Sequence, residues 1–245
     1  MDDMQRQPEI WLMGLGCDEE RSAKVREYLA YAGYRVVCRG LDDFAEGRPL
    51  GVVLDLSPFS KDGWGILLDI KNNPATRDVP ILPVFLSQEG TVGSVFPAVG
   101  FFTLPIEPDY LATKLAVLGL TEEADTWDLQ VMVVTKRGEE SLSRTITSLG
   151  FEVVNAYTGK EAVALATTGR IYMAFCSVTL PDMSAFELME RFRLYPQVRN
   201  VPFFVLVKDA MKEGEKIALS RQVEHLVRKK ELTREEFASY LRRRG

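Results

Sequence analysis

Side chains that commonly carry out chemistry are few in this sequence of 245 residues. Its only histidine is His225, so neither a Ser-His-Asp triad nor a zinc site built from histidines is expected. The three cysteines, Cys17, Cys38 and Cys176, contain no CxxC pair and are too few for a disulfide framework. This use of cysteine is typical of a reducing compartment and predicts a cytoplasmic protein.

A short glycine-containing turn, Gly14-Leu15-Gly16, lies between an apolar run and a helix-like segment. A GxGxxG dinucleotide motif would need glycine at position 19, where the chain has Glu19, and acidic residues in the first helical turn repel a pyrophosphate. Asp18 fits better as the N-cap of a helix running to about Ala32. We therefore expect no nucleotide cofactor.

Composition sets the broad class of protein. Hydrophobic residues make up 46% and charged residues 27%, which is typical of a folded globular chain. The formal net charge of -5 argues against nucleic-acid binding, which depends largely on neutralising phosphates. No apolar run approaches the roughly 20 residues that a membrane helix needs, and the polar start MDDMQRQPEI lacks the order of a secretory signal. We expect neither nucleic-acid partners nor membrane insertion.

The chain repeats itself once. AGYRVV at 32–37 matches LGFEVV at 149–154, and PATRDVPILP at 74–83 matches PQVRNVPFFV at 196–205. A polar, acidic segment, TEEADTWD, separates the two copies. A period this long is typical of tandem domains rather than of a solenoid. The predicted organisation is a domain over 1–120, a linker over 121–128 and a second domain over 129–245.

Each copy alternates apolar strands with amphipathic helices, which predicts an α/β fold with parallel sheets covered on both faces. Each copy contains five strands and five helices. This count fits two doubly wound, flavodoxin-like (βα)5 domains, with ligand sites at the carboxyl ends of the strands. Two local expectations follow: the glycine- and proline-containing segment 87–100 is a loop or a short distorted helix, and Leu226–Val227 is a strand. Val95, Phe96, Phe101 and Phe102 are expected in the core, or packed against the second copy.

Two long stretches share one order of features: a strand, a short proline-containing loop, a helix, then Asp/Asn-Val-Pro and a further strand. They are VVLDLSPFSKDGWGILLDIKNNPATRDVPI and AFCSVTLPDMSAFELMERFRLYPQVRNVPFF. In this order both copies resemble the receiver domains of response regulators, and LGFEVVNAYTGKEAVALA also looks like the second strand and helix of that family. The resemblance implies five positions: an acidic pair that binds Mg²⁺, a phosphoacceptor aspartate, a Ser/Thr switch and a lysine. These groups position a phosphoryl group and neutralise its charge.

The second copy departs from this pattern at nearly every position. Thr135 and Lys136 stand where the resemblance places the acidic pair, and Ser177 stands at the acceptor position. Val207 replaces the switch residue, and Lys229 alone is retained. Lys136 is in addition a candidate to fill the space of the missing metal. The resemblance thus implies a pseudo-receiver, with Asp182, Thr179 and Ser184 as loop-turn residues.

The first copy keeps its acceptor, since Asp55 ends the apolar run VVLDL. By the resemblance, Asp55 is either a phosphoacceptor that binds metal together with Asp18 or a residual structural carboxylate, and Asp18 is either that ligand or a helix cap. The switch position falls on Phe85 or Ser87, depending on the alignment. Leu104 replaces the lysine. We therefore expect a degenerate receiver here as well.

The functional expectation is a bacterial two-component-type signalling protein without an output domain, acting as a phosphorylation-independent protein–protein adaptor rather than an enzyme. The alternative is a response regulator phosphorylated at Asp55 by a histidine kinase, and Mg²⁺ is expected only in that case. Protein partners from signalling are implied, including a kinase. Packing of the two domains as an internal pseudo-dimer, or a homodimer, is a third possibility.

Overall fold

The computed structural model describes residues 8–15, 20–96, 100–117, 130–228 and 231–242, without the side chains at 220, 225–228, 240 and 242. The predicted linker 121–128 lies outside these residues, as do Asp18 and Lys229. Within the described ranges, no helix has both the length and the apolar character needed to cross a membrane.

The first sheet, sheet A, has the strand order β2-β1-β3-β4-β5. Its first four strands are parallel, and β5 runs antiparallel to β4. Two helices and a short 3₁₀ turn at Asp42–Ala45 lie between these strands in the sequence. The elements are β1 (Glu9–Met13), α1 (Glu20–Tyr31), β2 (Arg35–Cys38), β3 (Gly51–Asp55), α2 (Gly63–Asn72), β4 (Ile81–Leu86) and β5 (Val92–Val95).

The second sheet, sheet B, has the order β6-β10-β9-β7-β8, with every neighbouring pair parallel. Two further helices, α7 (Glu213–Arg228) and α8 (Arg234–Arg242), follow its last strand in the chain. The elements of this part are β6 (Gly100–Leu104), α3 (Pro108–Val117), β7 (Gln130–Val134), α4 (Ser141–Ser148), β8 (Glu152–Ala156), α5 (Gly159–Thr168), β9 (Ile171–Ser177), α6 (Ala185–Phe192) and β10 (Phe203–Lys208).

The helices that follow β3 and β9 each begin at a residue whose side chain caps the helix. Asp62 Oδ1 accepts a hydrogen bond from Gly65 N at 3.2 Å at the start of α2. Ser184 Oγ accepts one from Glu187 N at 3.2 Å at the start of α6. Each cap satisfies a backbone donor that a first helical turn leaves without an intrahelical partner. The loop after β3 therefore ends at Asp62, and the loop after β9 ends at Ser184.

The segment after β4 forms a strand, so the prediction of a loop or short distorted helix over 87–100 was wrong. Gly90 has a φ of +81°, which allows the tight turn that reverses the chain. Val92 and Val95 then place β-branched side chains in a buried strand that pairs with β4. A hairpin therefore occupies this side of sheet A.

The predicted strand Leu226–Val227 was also wrong, because both residues lie inside α7. An apolar doublet fits one face of a helix as well as a short strand, and here the helical pattern continues through it. Helix α7 packs against β4 and β5, and α8 packs against α1. Tyr28 Oη donates a hydrogen bond to Leu232 O at 3.0 Å, which joins α1 to the segment before α8.

Strand β6 belongs to sheet B although it precedes the repeat of the second copy. It pairs with β10 from Gly100 opposite Phe204 to Leu104 opposite Lys208. The ring of Phe102 lies 5.5 Å from that of Phe204 and 5.9 Å from that of Phe175. Phe102 thus packs against residues of the second copy, one of the two places considered for it in the sequence.

The chain consequently divides into two compact units that differ from the predicted domains 1–120 and 129–245. Unit 1 comprises Met1–Pro97 and Lys212–Gly245, and unit 2 comprises Ala98–Met211. Pairing of β6 with β10 places the start of unit 2 before the predicted linker, and packing of α7 on sheet A returns the end of the chain to unit 1. Unit 2 is therefore continuous in sequence and interrupts unit 1.

The predicted α/β, flavodoxin-like fold class is confirmed for both sheets. Sheet A follows the flavodoxin-like order 2-1-3-4-5, with an antiparallel fifth strand. Sheet B has the same spatial order, in which β6 occupies the place of the fifth strand. Because β6 comes first in the sequence of this unit, sheet B is a circular permutation of that order. Cys176 is a buried free thiol in sheet B, whereas Cys38 at the end of β2 is disulfide-bonded, unlike the reduced state expected from the sequence.

Candidate functional site

Asp55 is the last residue of β3 and lies at the carboxyl edge of sheet A, with 0% of its surface exposed. The start of α2 closes over it. A Cβ built on Gly63, the first residue of α2, would lie 1.9 Å from the carbonyl oxygen of Asp55. Only glycine allows the helix to begin so close to the strand. The sequence therefore buries this carboxylate through backbone packing.

Arg21, the second residue of α1, forms an ion pair with Asp55. Its Nη2 lies 2.7 Å from Asp55 Oδ2, and only 12% of the Arg21 side chain is exposed. Helix α1 follows β1, so its first turn lies at the same edge of sheet A as the end of β3. The carboxylate thus meets a cation supplied by the chain itself.

Ser57 completes the surroundings of the Asp55 carboxylate. Its backbone N donates to Oδ1 at 3.0 Å, and its Oγ donates to Oδ2 at 3.1 Å. Arg21 Nη2 in turn donates to Ser57 Oγ at 2.7 Å. Both carboxylate oxygens therefore have donors within unit 1, which a buried charged group requires.

The remaining donors of Arg21 reach the backbone of two other segments. Nε donates to Ser87 O at 3.0 Å, and Nη1 donates to Phe59 O at 2.8 Å. Nη2 lies 3.4 Å from Leu86 O, a longer hydrogen bond. The guanidinium also lies 5.7 Å from the centre of the Phe59 ring. All three nitrogens of the guanidinium group are thus engaged.

Two opposing effects act on the acidity of Asp55. Burial raises the pKa of its carboxyl above the ordinary value, while the Arg21 charge and the hydrogen bonds from Ser57 act to lower it. Desolvation is the largest of these influences, so the net direction is upward. The carboxylate of the pair has no exposed surface, whereas 12% of the Arg21 side chain is exposed.

Of the two residues considered for the switch position, Ser87 lies at this edge and Phe85 does not. Phe85 is fully buried inside β4. Ser87 directly follows β4, and its Oγ accepts a hydrogen bond from Thr91 N at 3.0 Å, within the turn that leads to β5. Its carbonyl oxygen is the group that Arg21 contacts. Ser87 therefore belongs to the surroundings of Asp55 through its backbone.

The residues around Asp55 do not fit the Mg²⁺ that the receiver resemblance would imply. A guanidinium group already contacts Oδ2, and Mg²⁺ requires oxygen ligands in near-octahedral geometry. The described residues include no group of three or more His, Cys, Asp or Glu side chains that could hold a metal ion. The proposed second ligand, Asp18, lies outside the described residues.

Leu104, assigned by sequence to the lysine position of the first copy, lies on sheet B instead. It is the last residue of β6, opposite Lys208 at the end of β10, and a cis peptide bond joins it to Pro105. The residue assigned to the site of Asp55 is therefore part of the other unit. Proximity in sequence did not determine which sheet β6 would join.

The carboxyl edge of sheet B brings together the substituted positions of the second copy. Thr135 follows β7 and is 2% exposed, and Ser177 ends β9 and is 8% exposed. Val207 is buried within β10, and Lys136 is exposed. Thr135 Oγ1 donates to Glu139 O at 3.2 Å, so its hydroxyl satisfies the following turn. Strand β9 thus ends in a serine and not in a carboxylate, at the position that the resemblance assigns to the phosphoacceptor.

Asp182, on the loop after β9, has a structural partner. Its two carboxylate oxygens accept hydrogen bonds from Gly159 N at 2.8 Å and Lys160 N at 3.0 Å. These amides lie in the first turn of α5, where a negative charge is stabilising. Thr179 forms an isolated bridge with Ser184, which caps α6. These residues thus act as loop and cap residues.

Arg21 is the residue that the sequence analysis missed. It lies in the first turn of α1, and no local sequence pattern assigned it a role. The signal that could have identified it is topological, because the helix after β1 begins at the same edge at which β3 ends. A long cation in that first turn can therefore reach the end of β3.

Comparisons with known proteins give low overall similarity. No protein-family model and no curated protein matches the chain. The receiver domain of the Pseudomonas aeruginosa sensor histidine kinase PA1611 is 17% identical, covering 40% of this chain and 96% of that chain, with a TM-score of 0.30. The Vibrio cholerae chemotaxis protein CheY4 is 22% identical, covering 47% and 97%, with a TM-score of 0.32.

A third match extends over most of the chain. The C-terminus of RcsC from E. coli, which contains a linker region and a phosphoreceiver domain, is 14% identical and covers 90% of this chain and 94% of that chain, with a TM-score of 0.28. At such values, the functional proposal must rest on the geometry of this chain's own residues.

Proposed function

We propose that this chain is a signalling protein of the two-component type that acts through protein–protein contacts without phosphorylation of Asp55. The observation that carries the proposal is the Arg21–Asp55 ion pair, with Nη2 2.7 Å from Oδ2 and the carboxylate buried. A group that must attack a phosphodonor needs an accessible oxygen. Here both oxygens accept hydrogen bonds from neighbouring residues.

The chemistry of phosphoryl transfer supports this proposal. The transfer depends on positioning the donor and neutralising its charge, which metal ions commonly do. At Asp55 the guanidinium group occupies one carboxylate oxygen and does not fit a shared Mg²⁺ site. We therefore expect no cofactor and no enzymatic activity, and we expect association with protein partners to carry the signal.

The edge of sheet B supports the same function for the second unit. Ser177 occupies the position of the acceptor, and a serine hydroxyl can neither form an acyl phosphate nor serve as a carboxylate ligand. Thr135 and Lys136 stand at the positions of the acidic pair. Among the described residues, neither Asp55 nor Ser177 thus offers an accessible carboxylate beside a metal site, and the partners are expected to be signalling proteins.

The alternative function is a response regulator phosphorylated at Asp55 by a histidine kinase. One observation favours it: Asp55 ends β3 at the carboxyl edge of the sheet, and Arg21 and Ser57 are donors that could meet phosphoryl oxygens. This function requires Arg21 to leave Oδ2 so that the oxygen can attack. It predicts a covalent gain that depends on Asp55 and on Mg²⁺.

The test is incubation of the full chain with Mg²⁺ and acetyl phosphate, followed by measurement of the intact mass. Asp55→Ala and Arg21→Ala variants run beside it, with an active receiver domain as positive control. We expect no phosphoryl gain in the parent chain. A gain of one phosphoryl group in the parent that Asp55→Ala abolishes would overturn the proposal and establish the alternative.

A further inference from the structure

Arg21 connects three segments that are distant in sequence. It begins in α1 and reaches the β3–α2 loop through Phe59 O and Ser57 Oγ. It reaches the turn between β4 and β5 through Ser87 O at 3.0 Å. Hydrogen bonds that involve a charged group are stronger than neutral ones. The guanidinium group therefore ties both loops to the same helix.

The turn between β4 and β5 also rests on the backbone of Arg21. Gly90 has a φ of +81°, and a Cβ built on it would lie 2.5 Å from Arg21 O and 2.7 Å from its Cα. The turn is closed by hydrogen bonds from Ser87 N to Thr91 O at 2.9 Å and from Gly90 N to Ser87 O at 3.1 Å. Main chain and side chain of Arg21 thus hold the same turn.

The loop after β3 is in turn linked to α7. Lys216 Nζ lies 3.0 Å from Asp62 Oδ1, and Asp62 is the cap of α2. Helix α7 packs against β5, which follows the turn that Arg21 holds. The elements at this edge are therefore joined in series, from α1 through the two loops to α7.

The shape of the arginine side chain explains why another cation would not serve. Its planar group presents five donors in fixed directions, and those at Arg21 point to carboxylate, hydroxyl and carbonyl oxygens on both loops. A lysine has three donors on a single nitrogen and would keep the charge near Asp55 without spanning both loops.

We infer that Arg21 is a positioning residue that fixes the β3–α2 loop and the β4–β5 turn in one arrangement. It holds the exposed ring of Phe59 at the edge and makes the conformation of this edge independent of any ligand. The inference goes beyond the absence of phosphorylation, because it concerns the order of the loops. It is tested without a phosphodonor, so its failure is distinguishable from failure of the proposed function.

Hydrogen–deuterium exchange of the full chain tests this inference, with Arg21→Lys as the main variant. We expect amides in 57–62 and 87–92 to exchange faster by about tenfold, the factor that corresponds to about 1.4 kcal/mol. Strand β10 in unit 2 is the internal reference and should not change. Arg39→Ala, which removes an exposed ion pair with Asp43, is the matched control and should leave both loops unchanged.

A second variant keeps the test decisive if Arg21→Lys weakens the whole unit. Gly90→Ala forces the turn away from the Arg21 backbone and keeps both side chains of the Arg21–Asp55 ion pair in the sequence. The same local increase over 87–92 is expected. Unchanged exchange in both loops of Arg21→Lys, or a uniform increase throughout unit 1 in both variants, would overturn the inference.

Discussion

Arg21 Nη2 lies 2.7 Å from Asp55 Oδ2, across 34 residues of sequence, and this contact determines what the carboxyl edge of sheet A can do. The contact places the positive charge of Arg21 on the carboxylate that ends β3. That carboxylate has no exposed surface. A flavodoxin-like sheet is thus combined with a carboxylate at the end of β3 that a cation of the chain itself already contacts.

The stability of unit 1 should depend strongly on this pair. We expect Arg21→Ala to lower the free energy of unfolding by about 3 to 5 kcal/mol, because it leaves a buried carboxylate without its counter-ion. Urea unfolding followed by circular dichroism measures the change. Arg39→Ala removes an exposed pair and should change stability by less than about 1 kcal/mol. Equal losses in the two variants would contradict this account.

The raised pKa of Asp55 predicts a specific dependence of stability on pH. The native state then holds the proton at pH values at which the unfolded chain has lost it, so the contribution of Asp55 is fully present below the ordinary pKa of 3.8. That contribution is lost as the pH rises through the pKa of the folded state.

Asp55→Asn isolates this effect because it cannot titrate. We expect the stability of the parent chain relative to Asp55→Asn to decrease as the pH rises from about 4 to about 7. Urea unfolding of both proteins at several pH values gives the difference. A relative stability that increases with pH would mean that Arg21 outweighs burial and lowers the pKa.

Gly63 should not tolerate a side chain. Its Cβ would lie 1.9 Å from the carbonyl oxygen of Asp55, so Gly63→Ala must displace α2 from β3. We expect a loss of about 1 to 3 kcal/mol, the usual effect of overpacking. Gly47→Ala is the matched control, since no atom lies within 4 Å of its Cβ position. Thermal unfolding of both variants checks the difference, and a neutral Gly63→Ala would contradict the packing described.

The boundaries of unit 2 predict which fragment folds. A fragment over 98–211 contains all five strands of sheet B and should give a dispersed amide NMR spectrum. A fragment over 129–245 lacks β6, and with it Phe102 and the strand that pairs with β10. It should therefore be less stable or unfolded. If the fragment 129–245 unfolds cooperatively and the fragment 98–211 is unfolded, the domain boundaries predicted from the sequence repeat would be favoured.

Much of the local structure could be predicted because it depends on nearby residues. Strand β4 (Ile81–Leu86) coincides with the apolar run ILPVFL of the sequence, and α2 begins at Gly63, directly after its cap Asp62. The apolar run and the turn residues around them determine these elements. Leu226–Val227 failed because an apolar doublet is compatible with either a strand or a helix, and packing on sheet A decides between them.

The candidate site was predictable only in part. Asp55 could be found because it ends a buried apolar run, a local pattern. Arg21 could not be assigned in the same way, since its partners Asp55, Phe59 and Ser87 come from segments that meet only in the folded sheet. Leu104 was placed at the wrong edge for the same reason, because its pairing with Lys208 depends on non-local packing.

The most direct measurement of the central claim is the NMR signal of the Arg21 Nε–H group, assigned by its loss in Arg21→Lys. This group donates to Ser87 O beside the Asp55 carboxylate. We expect a protected signal whose position does not change when Mg²⁺ and acetyl phosphate are added. A signal that shifts or disappears on that addition, and does so only when Asp55 is present, would mean that Arg21 leaves the acceptor and would contradict the account.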